Sequence, residues 1–287
     1  MPDDSRHAEP ADATGEGLDF EFTNADFARV CRLIHEQAGI SLGPSKRHMV
    51  YSRLGRRLRQ RRLKRFSDYL DLVEKGGAEE RTAFVNSLTT NLTSFFREAH
   101  HFPTLATLLR EHAAQAPLTI WCTAASTGEE PYSLAITACE AFSSLAPPVK
   151  ILATDIDTEV LATGAAGVYP LERLDPLTPE KRRAWFLRGR GAQEGFARVR
   201  PELQALIEFR RVNLLEPNWN VPSGLTAIFC RNVMIYFDHP TQAAILKRFA
   251  PLLAPGGRLF AGHSESFAHS ANVFRLLGRT VYAPVGT

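Results

Sequence analysis

From Leu118 onward, short β-prone apolar runs alternate with segments of helical length. That alternation limits the possible folds more than any other feature of these 287 residues. Strands are expected at Leu118–Thr123, Val149–Ala153, Glu208–Asn213, Leu225–Cys230, Arg258–Ala261 and Thr280–Ala283. Helices are expected at Glu130–Phe142, Thr158–Ala166 and Thr241–Leu253, the last closed by Pro255-Gly256-Gly257. Pro131 falls in a first helical turn, where a missing N–H is harmless. Strand–helix alternation of this kind builds a mainly parallel, doubly wound sheet. Between Gly167 and Leu206 the alternation stops. Pro170, Pro176, Pro179, Pro201, a Gly-Arg-Gly turn at 189–191 and the β-prone piece Phe196–Val199 mark an insertion, expected as a small helix plus an antiparallel hairpin.

Ligands of open α/β sheets bind outside the carboxyl ends of the strands. Leu225–Cys230 runs straight into Arg231-Asn232, with the phenol of Tyr236 following. That pair either turns the chain or belongs to a ligand site. The first strand is followed by Ala124-Ala125-Ser126-Thr127-Gly128-Glu129-Glu130, small residues that let a ligand approach a helix N-terminus. Two carboxylates there disfavour phosphate and suit an ammonium group or hydroxyls, unless they merely answer the positive helix end. Asp155 ends the second strand, where an acid commonly holds a ribose diol. Asn213-Leu214 ends another strand and is placed to flank an adenine. Asp157 reads as a helix cap or a first-turn acid.

Residues 24–91 read as helices only, the first capped by Asn24 or Thr23 and closed by Gly39, the second capped by Ser45. Shorter helices are expected at Phe66–Glu74 and Glu79–Leu88. Net charge is only +3, but no acid interrupts the basic residues between Lys46 and Arg65. Arg53, Arg56, Arg57 and Arg59 lie beside an apolar stripe of Met49, Val50, Leu54 and Leu58, a pattern suited to an anionic partner. Four cysteines form no C-x-x-C pair, and no disulfide framework is expected. No metal is expected, because adjacent histidines such as His100-His101 point apart in most backbones. His263, Ser264 and Glu265 have a triad's composition without its required separation. No apolar run reaches membrane-span length, Met1–Gly17 lacks a signal core, and a cytoplasmic protein is expected.

Taken together, the motifs resemble the CheR family of chemotaxis receptor methyltransferases. The matching pieces are Asn-Leu-Thr-Ser-Phe-Phe-Arg-Glu (91–98), Ala-Ser-Thr-Gly-Glu-Glu-Pro-Tyr-Ser (125–133), Ala-Thr-Asp-Ile-Asp-Thr-Glu-Val-Leu (153–161) and Phe-Cys-Arg-Asn-Val-Met-Ile-Tyr-Phe (229–237). Pro255-Gly256-Gly257 and Ala261-Gly262-His263-Ser264-Glu265-Ser266 complete the series. The resemblance runs in order from about residue 23 to the end.

Composition marks an acidic disordered tail (1–22) ahead of the match, and the resemblance implies an α/β enzyme with a small N-terminal helical receptor-recognition domain (23–90). A Rossmann-like S-adenosylmethionine-dependent methyltransferase domain follows (91–287), interrupted by a small antiparallel β-subdomain (168–206). The implied reaction methylates the γ-carboxylate of chemoreceptor glutamates, leaving glutamyl methyl esters and S-adenosylhomocysteine. Carried over by motif, Asn91, Thr93, Arg97, Glu129 or Glu130 (Glu130 favoured), Asp155, Asn213, Leu214, Arg231 and Asn232 should line the cofactor site. Arg97 and Tyr236 should lie nearest the transferred methyl. Arg53, Arg56, Arg57 and Arg59 should meet the receptor's glutamate-rich helices. In some members the β-subdomain binds a short peptide at the receptor C-terminus, and the Gly-Arg-Gly turn resembles that type. A monomer is expected, with no membrane insertion and no nucleic-acid partner. A nucleic-acid methyltransferase is the competing class, but Arg231-Asn232 stands where an Asn/Asp-Pro-Pro-Tyr motif would be needed. A scaffold without activity is a third, opposed by the intact 91–98 and 229–237 segments.

Overall fold

The structure, a computed structural model, describes residues 20–286. The acidic tail expected over 1–22 lies outside them, save its last three residues. Of these, Phe20 is buried in the helical core and Glu21 pairs with Arg65 as an isolated parallel bridge.

Four helices come first: α1 (Asn24–Ala38), α2 (Arg47–Arg61), α3 (Phe66–Lys75) and α4 (Ala78–Leu88). Thr23 and Asp26 form a reciprocal capping box on α1, and Gly39 closes it. Ser45 does not cap α2. Pro44 presets helical backbone angles, so a 3-10 turn at Pro44–Lys46 runs directly into α2 instead. Gly55 in the middle of α2 costs about 1 kcal/mol against alanine. Val50, Leu54 and Leu58 offset this, each wholly buried against Phe66, Tyr69 and Phe84 and each worth roughly 1.5–3 kcal/mol.

The remaining elements are α5 (His101–Glu111), β1 (Leu118–Cys122), α6 (Glu129–Phe142), β2 (Val149–Asp155), α7 (Thr158–Ala166), β3 (Val168–Pro170), α8 (Pro179–Trp185), β4 (Phe186–Arg188), β5 (Phe196–Val199), α9 (Pro201–Gln204), β6 (Ile207–Arg211), β7 (Leu225–Cys230), α10 (His239–Phe249), β8 (Leu253–Ala261), β9 (Phe274–Gly278) and β10 (Val281–Pro284). Seven strands make one sheet in the order β6-β2-β1-β7-β8-β10-β9. From β6 to β8 neighbours are parallel, while β10 runs antiparallel to both β8 and β9. β7 is buried at every position, as a strand covered on both faces must be. One apolar cluster lies under α5 and α6, the other around Trp121, Trp219 and Phe249.

Two boundaries differ from the sequence expectation. The helix expected to reach Leu253 stops at Phe249, because Pro251 cannot supply the next helical N–H. Pro255-Gly256-Gly257 therefore lies inside β8, where the register with β7 shifts. The insertion is a three-stranded sheet, β3-β5-β4, rather than a hairpin: β5 takes the centre, and α8 sits between β3 and β4 in sequence. Among the described residues, no helix is long and apolar enough to cross a membrane.

Candidate active site

From β1 the chain steps outward through β2 to β6, then returns to start again at β7 on the other side of β1. That reversal opens a crevice between the carboxyl ends of β1 and β7. A cavity of about 240 Å³ occupies it. Ser126 from the turn after β1, Asp155 from the end of β2, and Arg231 and Asn232 from the end of β7 line it. Asn91, Thr93 and Arg97 enter from the segment joining the two parts of the molecule, and Tyr236 from the loop after β7. Ile40, Leu42 and Met49, from the α1–α2 region, give it an apolar wall.

Three expected residues point elsewhere. Glu130 lines the cavity, but Glu129 faces the other way and is wholly buried. Its carboxylate pairs with Arg173 at 2.6 Å and accepts a hydrogen bond from the Thr127 hydroxyl, also at 2.6 Å. The Asn213 amide donates to the Gln37 carbonyl of α1 at 2.7 Å, and Leu214 packs in the apolar cluster with Trp219. Arg53, Arg56, Arg57 and Arg59 lie on α2, away from the cavity lining. Arg53 donates to the carbonyls of Leu88 and Thr89, and Arg57 pairs with Glu80 at 2.8 Å. Arg59 lies over the Phe20 ring at 5.4 Å. Arg56 is exposed, with no hydrogen bond or ion pair among the described residues.

The polar groups of the crevice form one connected set. Asp155 accepts from the backbone N–H of Ser126 at 2.9 Å and of Asp157 at 3.0 Å. Burial nevertheless pushes its carboxyl up to about 6. Asp157 caps α7 and accepts from Thr89 at 2.7 Å and Asn91 at 2.9 Å, which ties the connecting segment to the sheet. Arg231, its side chain only 1% exposed, binds Glu130 at 2.6 Å, the Arg97 carbonyl at 2.5 Å and Glu98 at 3.4 Å. Burial alone would raise Glu98, but the His263 hydrogen bond and the Arg231 charge hold it down near 2. Phe96, Glu98, Ser126 and Asn232 all take left-handed backbone angles around this crevice. Such strain gathers at functional sites, where surrounding contacts over-determine it.

Contrary to the sequence expectation, His100 and His101 do not point apart. Their ring centroids lie 4.1 Å from each other, and with Glu98 they bring three potential metal ligands within 4.8 Å. Their Nε2 atoms share the Arg279 carbonyl, at 3.2 and 3.1 Å. Burial and the Arg231 charge lower His101 to about 4, so at neutral pH it adds no charge. Arg231 already supplies the cation that Glu98 requires.

The donor set fits S-adenosylmethionine. Asp155 keeps lone pairs free for a ribose diol, Glu130 offers negative charge for an ammonium, and the apolar wall suits an adenine. Gly128 lets this turn pass closely: at φ +97° an added Cβ would stand 2.7 Å from the Tyr169 hydroxyl and 2.8 Å from Gly164. The Tyr236 hydroxyl has no partner among the described residues, and Arg97 uses one donor on the Leu92 carbonyl at 2.8 Å. Sequence reasoning missed Glu98, Asp157, Arg173 and Glu265 as parts of this framework. The only signal for Glu98 was its place at the end of the 91–98 run.

Comparison with known proteins agrees with this geometry. The family model described as "CheR methyltransferase, SAM binding domain" matches residues 91–283, and "CheR methyltransferase, all-alpha domain" matches residues 25–89. The chain is 53% identical over 267 residues to chemotaxis protein methyltransferase 2 of Pseudomonas aeruginosa, covering 93% of this chain and 95% of the relative. It is also 53% identical over 264 residues to the chemotaxis protein methyltransferase of Salmonella typhimurium, covering 91% and 90%. With the Escherichia coli protein of that name, identity is 51% over 262 residues, 91% of each chain.

Proposed function

The chain belongs to the CheR methyltransferase family, and we propose that it moves the methyl group of S-adenosylmethionine to the γ-carboxylate of chemoreceptor glutamates for sensory adaptation. The observation that carries this reading is the meeting of Arg97 and Tyr236 in one cavity with Glu130 and Asp155. When bound, the cofactor supplies an electrophilic methyl on a sulfonium leaving group. The glutamate nucleophile, with a pKa of about 4.3, is already ionised, so no residue has to remove a proton. The protein's task is placement and exclusion of water. Arg97 draws the incoming carboxylate with its free guanidinium donors, while the Arg231 bond to its carbonyl fixes its backbone. Tyr236 holds the reacting geometry from the opposite loop. Asp155 and Glu130 bind and orient the cofactor, and Asn91, Thr93 and Asn232 complete the lining. Ile40, Leu42 and Met49 keep water from the reacting oxygen.

The exposed face of α2 receives the receptor helix: Arg56 and Arg59 are exposed there, Arg59 also lying over the Phe20 ring, while Arg53 and Arg57 are half-buried against Leu88, Thr89 and Glu80. The reading extends to the insertion. A cleft beside β4 is bordered by Arg182, Arg183 and Arg188, with Phe186 and Leu174 beneath. Among the described residues β4 pairs with β5 alone and is an edge strand of its sheet, which supports docking of a receptor C-terminal peptide as an added strand. The enzyme acts as a monomer beside the receptor's cytoplasmic helices.

The test incubates the full chain with methyl-labelled S-adenosylmethionine and a receptor cytoplasmic fragment. Label released by base as methanol is expected. Label that resists base, or no transfer at all, overturns the reading.

A further inference from the structure

Asn232, Val233 and Met234 present three successive backbone N–H groups to a single point, with Asn232 at φ +58°. Such a concavity is an anion-binding nest. Here the protein fills it with its own carboxylate. Glu265, 5% exposed, accepts from the N–H of Asn232 at 3.0 Å, Val233 at 2.9 Å, Met234 at 2.8 Å and Gly262 at 2.5 Å. Among the described residues no basic side chain pairs with it; the neighbouring Arg231 is turned to Glu130 and Glu98. The two loops meet closely, since a Cβ at Gly262 would lie 2.4 Å from the Asn232 amide nitrogen and 2.9 Å from Glu265.

We propose that Glu265 is a positioning residue for methyl transfer: by filling this nest it holds the loop that carries Asn232 and Tyr236 into the cavity. Tyr236 closes a 3-10 turn onto Val233, so its placement is built directly on the nest. Without the carboxylate, four backbone N–H groups lose their acceptor, and Asn232 is left with its side-chain donation to Glu98 at 3.3 Å to steady the left-handed turn. The proposal rests on the methyl-transfer reading for its function, though not for its geometry.

Two variants of the full chain test it, Glu265→Gln and Glu265→Asp, assayed for receptor methylation. Glutamine keeps the size but turns an N–H₂ group toward the donors. Expected for Glu265→Gln is a kcat loss of about 100-fold, the scale of a roughly 1 Å misplacement, with KM for the receptor fragment unchanged. Glu265→Asp keeps the charge and should recover part of the loss. Wild-type kcat in Glu265→Gln, or equal impairment in both variants, overturns the proposal. Hydrogen exchange on the unaltered protein needs no variant to fold and no substrate. The amides of residues 232–234 should exchange as slowly as those of β7; exchange as fast as exposed loops overturns the nest. That measurement reads this proposal even where the methyl-transfer reading itself fails.

Discussion

On α2, Arg56 and Arg59 stand at the surface of a helix whose opposite side is core; in the crevice, Arg231 is 4% exposed and lies between the carboxylates of Glu130 and Glu98. Of that first pair, Arg56 makes no hydrogen bond or ion pair among the described residues, and its charge is there to offer a partner. Arg231 has spent its charge inside the fold, on Glu130, Glu98 and the Arg97 carbonyl. One residue type thus serves as bait in one place and as a strut in the other. Desolvation decides which, since only the buried guanidinium leaves carboxylates stranded when removed.

The largest expected effect breaks that strut. Arg231→Met should lower folding stability by about 3–5 kcal/mol in urea denaturation and abolish binding of S-adenosylhomocysteine, whereas Arg56→Met should stay within about 0.5 kcal/mol. Equal stability in the two variants would erase the distinction. Next, if Arg97 draws in the carboxylate as proposed, Arg97→Ala should reduce kcat by about 100-fold or more, and Tyr236→Phe by less. If both kept wild-type turnover, these residues would not be the ones nearest the methyl. The surface side of the comparison predicts a smaller effect of a different kind. Reversing Arg56 and Arg59 to glutamate should raise KM for the receptor fragment about tenfold, leave cofactor affinity alone, and fade at high salt. A KM that ignores both charges would leave α2 without a docking role.

Carboxylates extend the contrast and give the smallest effect. Glu74, at the surface of the helical domain, is held down near 2 by Arg29 and Arg32, whereas Asp155 is pushed up to about 6 by burial. If the ionised Asp155 holds the ribose diol as proposed, affinity for S-adenosylhomocysteine should fall roughly four-fold between pH 7.5 and 5.5. The stability sign is opposite. Because the folded state holds this proton more tightly, Asp155 favours folding more as pH drops from 6 toward its unfolded value near 4. Titration calorimetry across this range in wild type and Asp155→Asn separates the two, since the asparagine variant should lose the pH dependence.

Much of the fold was legible because it is written in local chemistry. The strand Leu225–Cys230 is bounded by its own composition, and the cap residues Thr23 and Asn24 mark the start of α1, where Thr23 proves to be the cap. Part of the crevice was legible because Ser126, Asp155, Arg231 and Asn232 stand at or past strand ends. What was not legible depends on partners distant in sequence. Glu129 and Glu130 are adjacent, yet one helical step sends Glu129 to Arg173 and Glu130 to Arg231. Asn213 resembles a cofactor contact until Gln37 is seen beside it. β9 was missed because Phe274–Gly278, at the sheet's edge, buries only Phe274 and carries no alternating pattern. Glu265 looked like a fragment of a triad, and only the converging N–H groups of another loop give it a part.

The inserted three-stranded sheet is not hung on the molecule by slack chain. The Tyr169 hydroxyl donates to the Thr127 carbonyl at 2.7 Å, and Arg173 grips the buried Glu129, both on the turn beside the cofactor cavity. A load applied to that small sheet therefore passes directly to the turn after β1, whose Ser126 lines the cavity. Anything leashed there would pull on the working end of the enzyme itself, much as a handle bolted straight to a vice jaw moves the jaw.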